Sequence, residues 1–271
     1  MTDWRGFSLP QDATGSLALY GPPPWRFEGV TASVFLAYDA QRAAQLVPPP
    51  LKLHGDPVAR LSVHDVACDY GLGDAFVQRN PDLSHFGEAV IGFLVEHDGI
   101  VGQWCPYLWC TTDAEFAVGR EFYGWPQQIG DMCLTRQPFR GWRAGDTVTG
   151  VVSRGCRAVF EFAIHLERAG DLPTEIDGLT MFPTQSAANQ HYTQTALPDP
   201  VEPAMVRRRL FRTPMRDVAL DHTWSGSAEV RFTAPEFGFL EDARPFGGRW
   251  STIAWTKPYP EQLVLEERVP A

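Results

Sequence analysis

Apolar residues in this 271-residue chain fall into many short runs with a two-residue period, each closed by glycine, proline or aspartate. Such a period sends successive side chains to opposite faces of an extended strand, so each run can bury one face only by pairing with others. Val30 to Ala37 and Val58 to Ala67 read as strands, the second interleaving Ala59, Leu61 and Val63 with Arg60, Ser62 and His64. Phe93–Glu96 and Ile100–Gln103 flank His97-Asp98-Gly99, a hairpin signal because Gly99 supplies a positive φ. Further strands are expected at 132–136, 147–153, 156–167, 206–213, 216–222, 227–233 and 250–256.

Helices are few. Asp39 should cap a short helix from Ala40 to Leu46, stopped by Pro48-Pro49-Pro50. Asp113 should cap another from Ala114 to Phe122, ended by Gly124-Trp125-Pro126. The expectation is a mainly β (α+β) protein, a closed or nearly closed barrel or a sandwich. A single domain over 1–271 is expected, with 1–20 an extended lead-in and 168–204, which holds Pro173, Pro183, Pro198, Pro200 and Pro203, a long excursion.

Charge and composition exclude several classes. A net charge of −10 argues against nucleic acid, whose phosphates call for a basic excess. No window approaches the ~18 uninterrupted apolar residues of a membrane helix, and Met1 to Pro10 lacks the apolar core of a secretory signal. The five cysteines have no CxxC spacing, which fits reduced thiols in a cytoplasm and no metal site. Lysine is scarce: of 23 basic residues only Lys52 and Lys257 are lysines.

Three segments carry a resemblance. Tyr20-Gly21-Pro22-Pro23-Pro24-Trp25-Arg26-Phe27 is followed by a strand, the short helix and Val47-Pro48-Pro49-Pro50-Leu51. Gly119-Arg120-Glu121-Phe122-Tyr123-Gly124-Trp125-Pro126-Gln127-Gln128 comes next, and His222-Thr223-Trp224-Ser225-Gly226 enters a late strand. In order and spacing, across roughly residues 20–260, these resemble the acetoacetate decarboxylase superfamily. The resemblance implies an acetoacetate decarboxylase-like closed β-barrel, a buried and partly apolar pocket, no cofactor, and a homo-oligomer (dimer or tetramer).

The resemblance breaks at the chemistry. In the family's decarboxylases the first lysine after the signature proline forms a Schiff base with the substrate ketone, and its lysine neighbour lowers its pKa. Those positions here are Gln127 and Gln128, and a carboxamide is neither a nucleophile near neutral pH nor an electron sink. Lys52 is expected in solvent and Lys257 at a strand end outside the pocket. The family's early-strand glutamate is matched by Ser62, its second glutamate by Gln78 or Val77, and its first-strand arginine falls near Val30. A neutral, amide-lined pocket between the barrel interior and the Gly124–Gly130 loop is therefore expected.

Candidate residues follow from that placement. Glu121 is read as a general base with a pKa raised by apolar walls and Arg120 as a substrate-binding residue, or else the two bond each other and nearby backbone to hold the helix-to-loop junction. Gln127 or Gln128 would donate to a substrate carbonyl, with Trp125 as an apolar wall and Tyr123 as a phenolic acid or oxyanion donor. His64, oriented by Asp65 or Asp69, is the imidazole for proton transfer, and it or Gln78 would line the opposite side. His222 is read as positioning the Trp224 turn. Arg207-Arg208-Arg209 is read as a solvated or intersubunit face, with a carboxylate clamp as the alternative.

These residues suit a lysine-independent enzyme acting on a small or medium, largely apolar oxo or enol compound by hydrogen-bond polarisation and proton transfer. Cyclisation, isomerisation, hydration or dehydration, and decarboxylation all fit. The alternative is a non-catalytic protein that holds a hydrophobic metabolite. The expected partner is a small molecule, with neither nucleic acid nor membrane.

Overall fold

The computed structural model describes residues 5–8, 10, 13–16, 18–170, 180–181, 184–186, 205–260 and 262–270, with backbone alone at 180–181, 184–186, 205–209, 239 and 262–270. Most of the 168–204 excursion and the side chains of Arg207 to Arg209 lie outside the described residues.

Strands dominate. β1 (Trp25–Ala37), β2 (Lys52–Leu53), β3 (Val58–Cys68), β4 (His85–His97) and β5 (Ile100–Cys110) form the first half. β6 (Gln127–Ile129), β7 (Asp131–Leu134), β8 (Thr147–Arg154) and β9 (Arg157–Ala169) follow. Last come β10 (Thr180–Met181), β11 (Thr184–Ser186), β12 (Met205–Arg212), β13 (Arg216–Phe232), β14 (Arg244–Lys257) and β15 (Gln262–Pro270). The main sheet runs β10-β5-β4-β3-β1-β14-β13-β9-β8-β7, with β2 on β4 and β6 on β5; β11-β12-β15 form a small second sheet.

Among the described residues the expected closed barrel takes the form of a curled sheet without a continuous closing ladder. One stretch of chain spans the gap: β6 pairs with β5, the Gly130 amide bonds the Cys110 carbonyl at 3.0 Å, and β7 then pairs with β8. Two of the expected strands, 216–222 and 227–233, are one strand, β13. Its register shifts fall beside Asp217 and His222, both at positive φ, so the strand bends there instead of ending.

Helices are short, as expected: α1 (Ala40–Ala44), α2 (Asp74–Arg79), α3 (Pro81–Ser84) and α4 (Asp113–Ala117). Asp39 caps α1, its Oδ1 accepting from the Gln41 and Arg42 amides at 2.8 and 3.1 Å. The cap of α4 is Thr112 rather than Asp113, with Oγ1 accepting from the Glu115 amide at 3.4 Å. Beyond α4 the chain widens into a π-helical turn, Val118–Tyr123, closed by Gly124 at φ 76°. No helix among the described residues is long and apolar enough to cross a membrane.

Strand alternation divides the core in two. Ala32, Val34 and Leu36 of β1, Ala59, Leu61 and Val63 of β3, and Ala89, Ile91 and Phe93 of β4 bury one face. Trp25 and Phe27, Val66 and Cys68, Phe86 and Val90, and Ile253 and Trp255 of β14 point the other way. There they meet Ala114, Ala117, Val118, Phe122 and Tyr123 from α4 and the π turn. The Gly-Pro segment is locked to the same face, since the Gly21 amide bonds the Tyr70 carbonyl at 2.8 Å and the Trp25 indole donates to the Gly21 carbonyl at 3.0 Å.

Asp69 ties this entry segment to the end of β3. Its Oδ1 accepts from the Arg26 and Gly71 amides at 3.0 and 3.1 Å, and its Oδ2 from the Arg26 guanidinium at 2.8 Å. Asp69 is buried, so removing the carboxylate strands those donors. Asp69→Ala should cost about 2 kcal/mol and lower the melting temperature by roughly 5 °C; an unchanged melting curve would show that the junction is held by other contacts.

Candidate active site

The second face ends in a group of charged side chains beneath the π turn. From β3 come Arg60 and His64, from β4 Glu88, from α4 Glu115 and from β14 Lys257, all buried. Arg60, His64, Glu88 and Lys257 line a largely enclosed cavity of about 30 Å³, closed by Val90, Leu108, Trp125, Met215, Val218, Leu220, Ile253 and Trp255. That volume holds about two water molecules.

Lys257 is placed by strand period and register. It continues the inward series Ile253, Trp255 on β14 and pairs with Trp25 of β1, while Trp255 pairs with Phe27 and stacks on it at 4.7 Å. The ammonium lies 4.7 Å from the Phe27 ring centroid, 5.6 Å from Tyr123 and 6.0 Å from Trp125, within reach of cation–π attraction. The expectation that Lys257 stays outside the pocket is thus corrected: it is 5% exposed and part of the cavity wall. Two-residue alternation from Trp255 pointed to this position. Lys52, by contrast, is exposed.

Gln127, at the signature lysine position, is 1% exposed. Its amide nitrogen donates to Glu88 Oε1 at 3.1 Å and to Glu115 Oε1 at 3.3 Å, so one NH2 group bridges two carboxylates. Gln127 sits one hydrogen bond behind the cavity, with Glu88 between. Glu115 Oε2 accepts from Tyr70 at 3.0 Å. Complete burial pushes the Glu115 carboxyl up to about 7, with Lys257 opposing that rise and Glu88 adding to it. The neutral pocket expected from Ser62 and Gln78 is therefore a charged one. Its acids come from positions 88 and 115, because sheet pairing and the α4 turn, rather than linear spacing, decide which glutamates meet.

The remaining candidates separate. Trp125 and His64 line the cavity, and His64 faces Glu88 as its cross-strand partner. Tyr123 turns its ring to Lys257 while its hydroxyl donates to the Pro258 carbonyl at 2.9 Å, so the phenol is engaged away from the cavity. Glu121 is not a cavity residue: its carboxylate accepts from Tyr20 at 3.5 Å on the far side of the π turn, and burial raises its pKa. Arg120 donates to the Gln127 carbonyl at 3.1 Å rather than to Glu121, fixing the junction. Gln128 points opposite to Gln127 by strand alternation and is half-buried. Gln78, on exposed α2, borders a separate open groove with Arg26, Asp69 and Asp74. Asp65 is exposed and Asp69 is committed to Arg26, so neither is placed to orient His64. His222 is exposed at the β13 bend. Among the described residues no cluster of three His, Cys, Asp or Glu side chains stands ready to hold a metal ion.

The sequence matches the family model described as acetoacetate decarboxylase (ADC) over residues 8–245, and the chain belongs to that family. Among solved structures, an acetoacetate decarboxylase-like enzyme from Sphingomonas wittichii RW1 superposes with a TM-score of 0.82 at 20% identity, over 96% of this chain and 100% of that one. The enduracididine biosynthesis enzyme MppR gives 0.77 at 24% identity, over 96% and 94%. Acetoacetate decarboxylase from Legionella pneumophila gives 0.67 at 15% identity, over 92% and 90%. At these identities the likeness is one of fold. No curated protein sequence matches the chain.

Two measurements probe the site directly. A carboxyl whose pKa is raised from 4.5 to about 7 on folding favours the folded state while protonated. Its contribution is complete below pH 4.5 and is lost as pH rises through about 7. Glu115→Gln should therefore flatten the fall in stability over that window in urea unfolding; an identical slope in both proteins would refute the burial argument. Gly119 has its own constraint: a Cβ there would collide with the Gln127 carboxamide oxygen. Gly119→Ala should cost about 2 kcal/mol by overpacking and displace Gln127. Unchanged stability would show that Gln127 is free to move.

Proposed function

We propose that this protein is an enzyme that binds a small oxo or enol compound in the Lys257–Glu88–His64 cavity and moves a proton at the carbon beside its carbonyl. The observation that supports this reading is the bridged acid pair behind the cavity wall. Glu115, fully buried beside Glu88 and bridged to it by the Gln127 amide, is pushed up to about 7 and is poised to hold or release a proton near neutral pH. Glu88 connects that proton store to the cavity, and His64 opposite supplies a second relay.

The apolar wall of Trp125, Ile253 and Trp255 excludes water, so donors aimed at a developing enolate oxygen act in a medium of low polarity. No step of this chemistry needs a lysine at the signature position, where Gln127 serves as a neutral donor to the acids. Isomerisation, cyclisation, dehydration and decarboxylation of an activated acid share this enolate and remain within the reading, as do a cytoplasmic setting and a homo-oligomer. MppR has been solved with pyruvate, a small oxo compound. A substrate of this size needs more room than the cavity offers when closed, and Met215, whose unbranched side chain is easily moved, is the wall residue best able to yield.

Deuterium exchange tests the reading. Incubated with pyruvate, acetoacetate or acetylacetone in heavy water, the protein should catalyse exchange at the α-carbon, followed by NMR. The rate should rise with pH through about 7 as Glu115 ionises. Glu115→Gln should lower it about 100-fold. Ligand-induced tryptophan fluorescence changes without exchange would instead identify a binding protein.

A further inference from the structure

We infer that Lys257 is the carbonyl-binding nucleophile of this site: the amine absent from the signature loop is supplied by β14, whose last residue reaches the cavity wall beside the aromatic rings of that loop. This deepens the enolate reading, resting on it for the site and adding a covalent step. Several independent placements support it. Lys257 lines the enclosed cavity, so its amine can meet a bound carbonyl. It is 5% exposed, and the aromatic faces of Phe27, Tyr123 and Trp125 surround it, so the amine is withdrawn from bulk water as an imine-forming lysine requires. Its charge acts on Glu115, which places a proton acceptor in the same buried group. The other lysine, Lys52, is exposed on β2, far along the sheet from these groups.

The chemistry balances without an outside reagent. Lys257 passes a proton to the carboxylate pair, and its nitrogen lone pair then adds to the carbonyl carbon. The carbonyl π pair moves to oxygen, which takes the proton that the nitrogen sheds on bonding, giving a neutral carbinolamine. Return of the stored proton from the acid pair to the hydroxyl lets it leave as water, and the nitrogen lone pair forms the C=N bond of an iminium. That cation accepts the electron pair released when the α-carbon loses a proton or carbon dioxide. Reprotonation and addition of water reverse the sequence and restore the amine. In this arrangement Gln127 is a positioning residue, holding Glu88 and Glu115 together without competing as a nucleophile.

The test is reductive trapping on the full chain. Borohydride is added in the presence of pyruvate, acetoacetate or acetylacetone in turn, and intact mass and peptide mapping are read. With only two lysines in the chain, the site of modification is unambiguous. A single adduct on Lys257, absent from Lys257→Arg folded as judged by circular dichroism, is the expected result. No adduct with any probe, or adducts confined to Lys52 or the amino terminus, would overturn the inference. Trapping in wild-type protein decides the matter even if the variant fails to fold. The deuterium experiment separates the two readings: exchange without trapping removes Lys257 and leaves the enolate reading, and trapping without exchange does the reverse. Neither signal removes both.

Discussion

Ionised groups taken out of water are costly unless they neutralise one another, and this site is arranged around that constraint. Glu88 and Glu115 are drawn together by one amide nitrogen of Gln127, Tyr70 donates to the second oxygen of Glu115, and Lys257 provides positive charge. Every element nearby serves the arrangement. α4 carries Glu115 onto the sheet, the π turn leaves Gly119 bare so that the Gln127 side chain can lie across it, and Arg120 pins the Gln127 carbonyl. The aromatic rings of Trp25, Phe27, Trp125 and Trp255 keep the surroundings dry.

Within that frame, glutamine at the signature position is a substitution with a clear physical meaning. It gives up charge and nucleophilicity but keeps two N–H donors, which is enough to bridge the acids. Positive charge is supplied by Lys257, on the cavity wall beside Trp125. Because β14 and β1 pair with Lys257 opposite Trp25, the ammonium is delivered against aromatic faces rather than beside another ammonium. The cavity wall thus carries acidic and basic side chains although the signature position is an amide.

Much of the architecture was legible from local chemistry. Period-two runs gave the strands, Asp98 and Gly99 gave the tight hairpin, and Asp39 gave the α1 cap, because each depends on residues close in sequence. Trp125 and His64 both lie on the cavity wall, one carried there by a proline-stiffened loop and the other by strand alternation. Bends escaped notice: Asp217 and His222 carry β13 through apparent breaks, since Asp and His signal a positive φ far more weakly than glycine does.

The acids and the amine are where local reasoning failed. Linear spacing sought the missing glutamates at Ser62 and Gln78, whereas Glu88 faces His64 only through the β3–β4 register, and Glu115 arrives from a helix packed on another strand. By itself the sequence determined the strand-rich class, the family, and the loss of lysine at Gln127 and Gln128. The tertiary structure alone decided that Lys257, far along the chain from Gln127, joins the cavity wall with Glu88, which Gln127 bonds from behind. Strand pairing sets which distant side chains meet, and the energy of burying a charge is fixed by those neighbours rather than by anything adjacent in the chain.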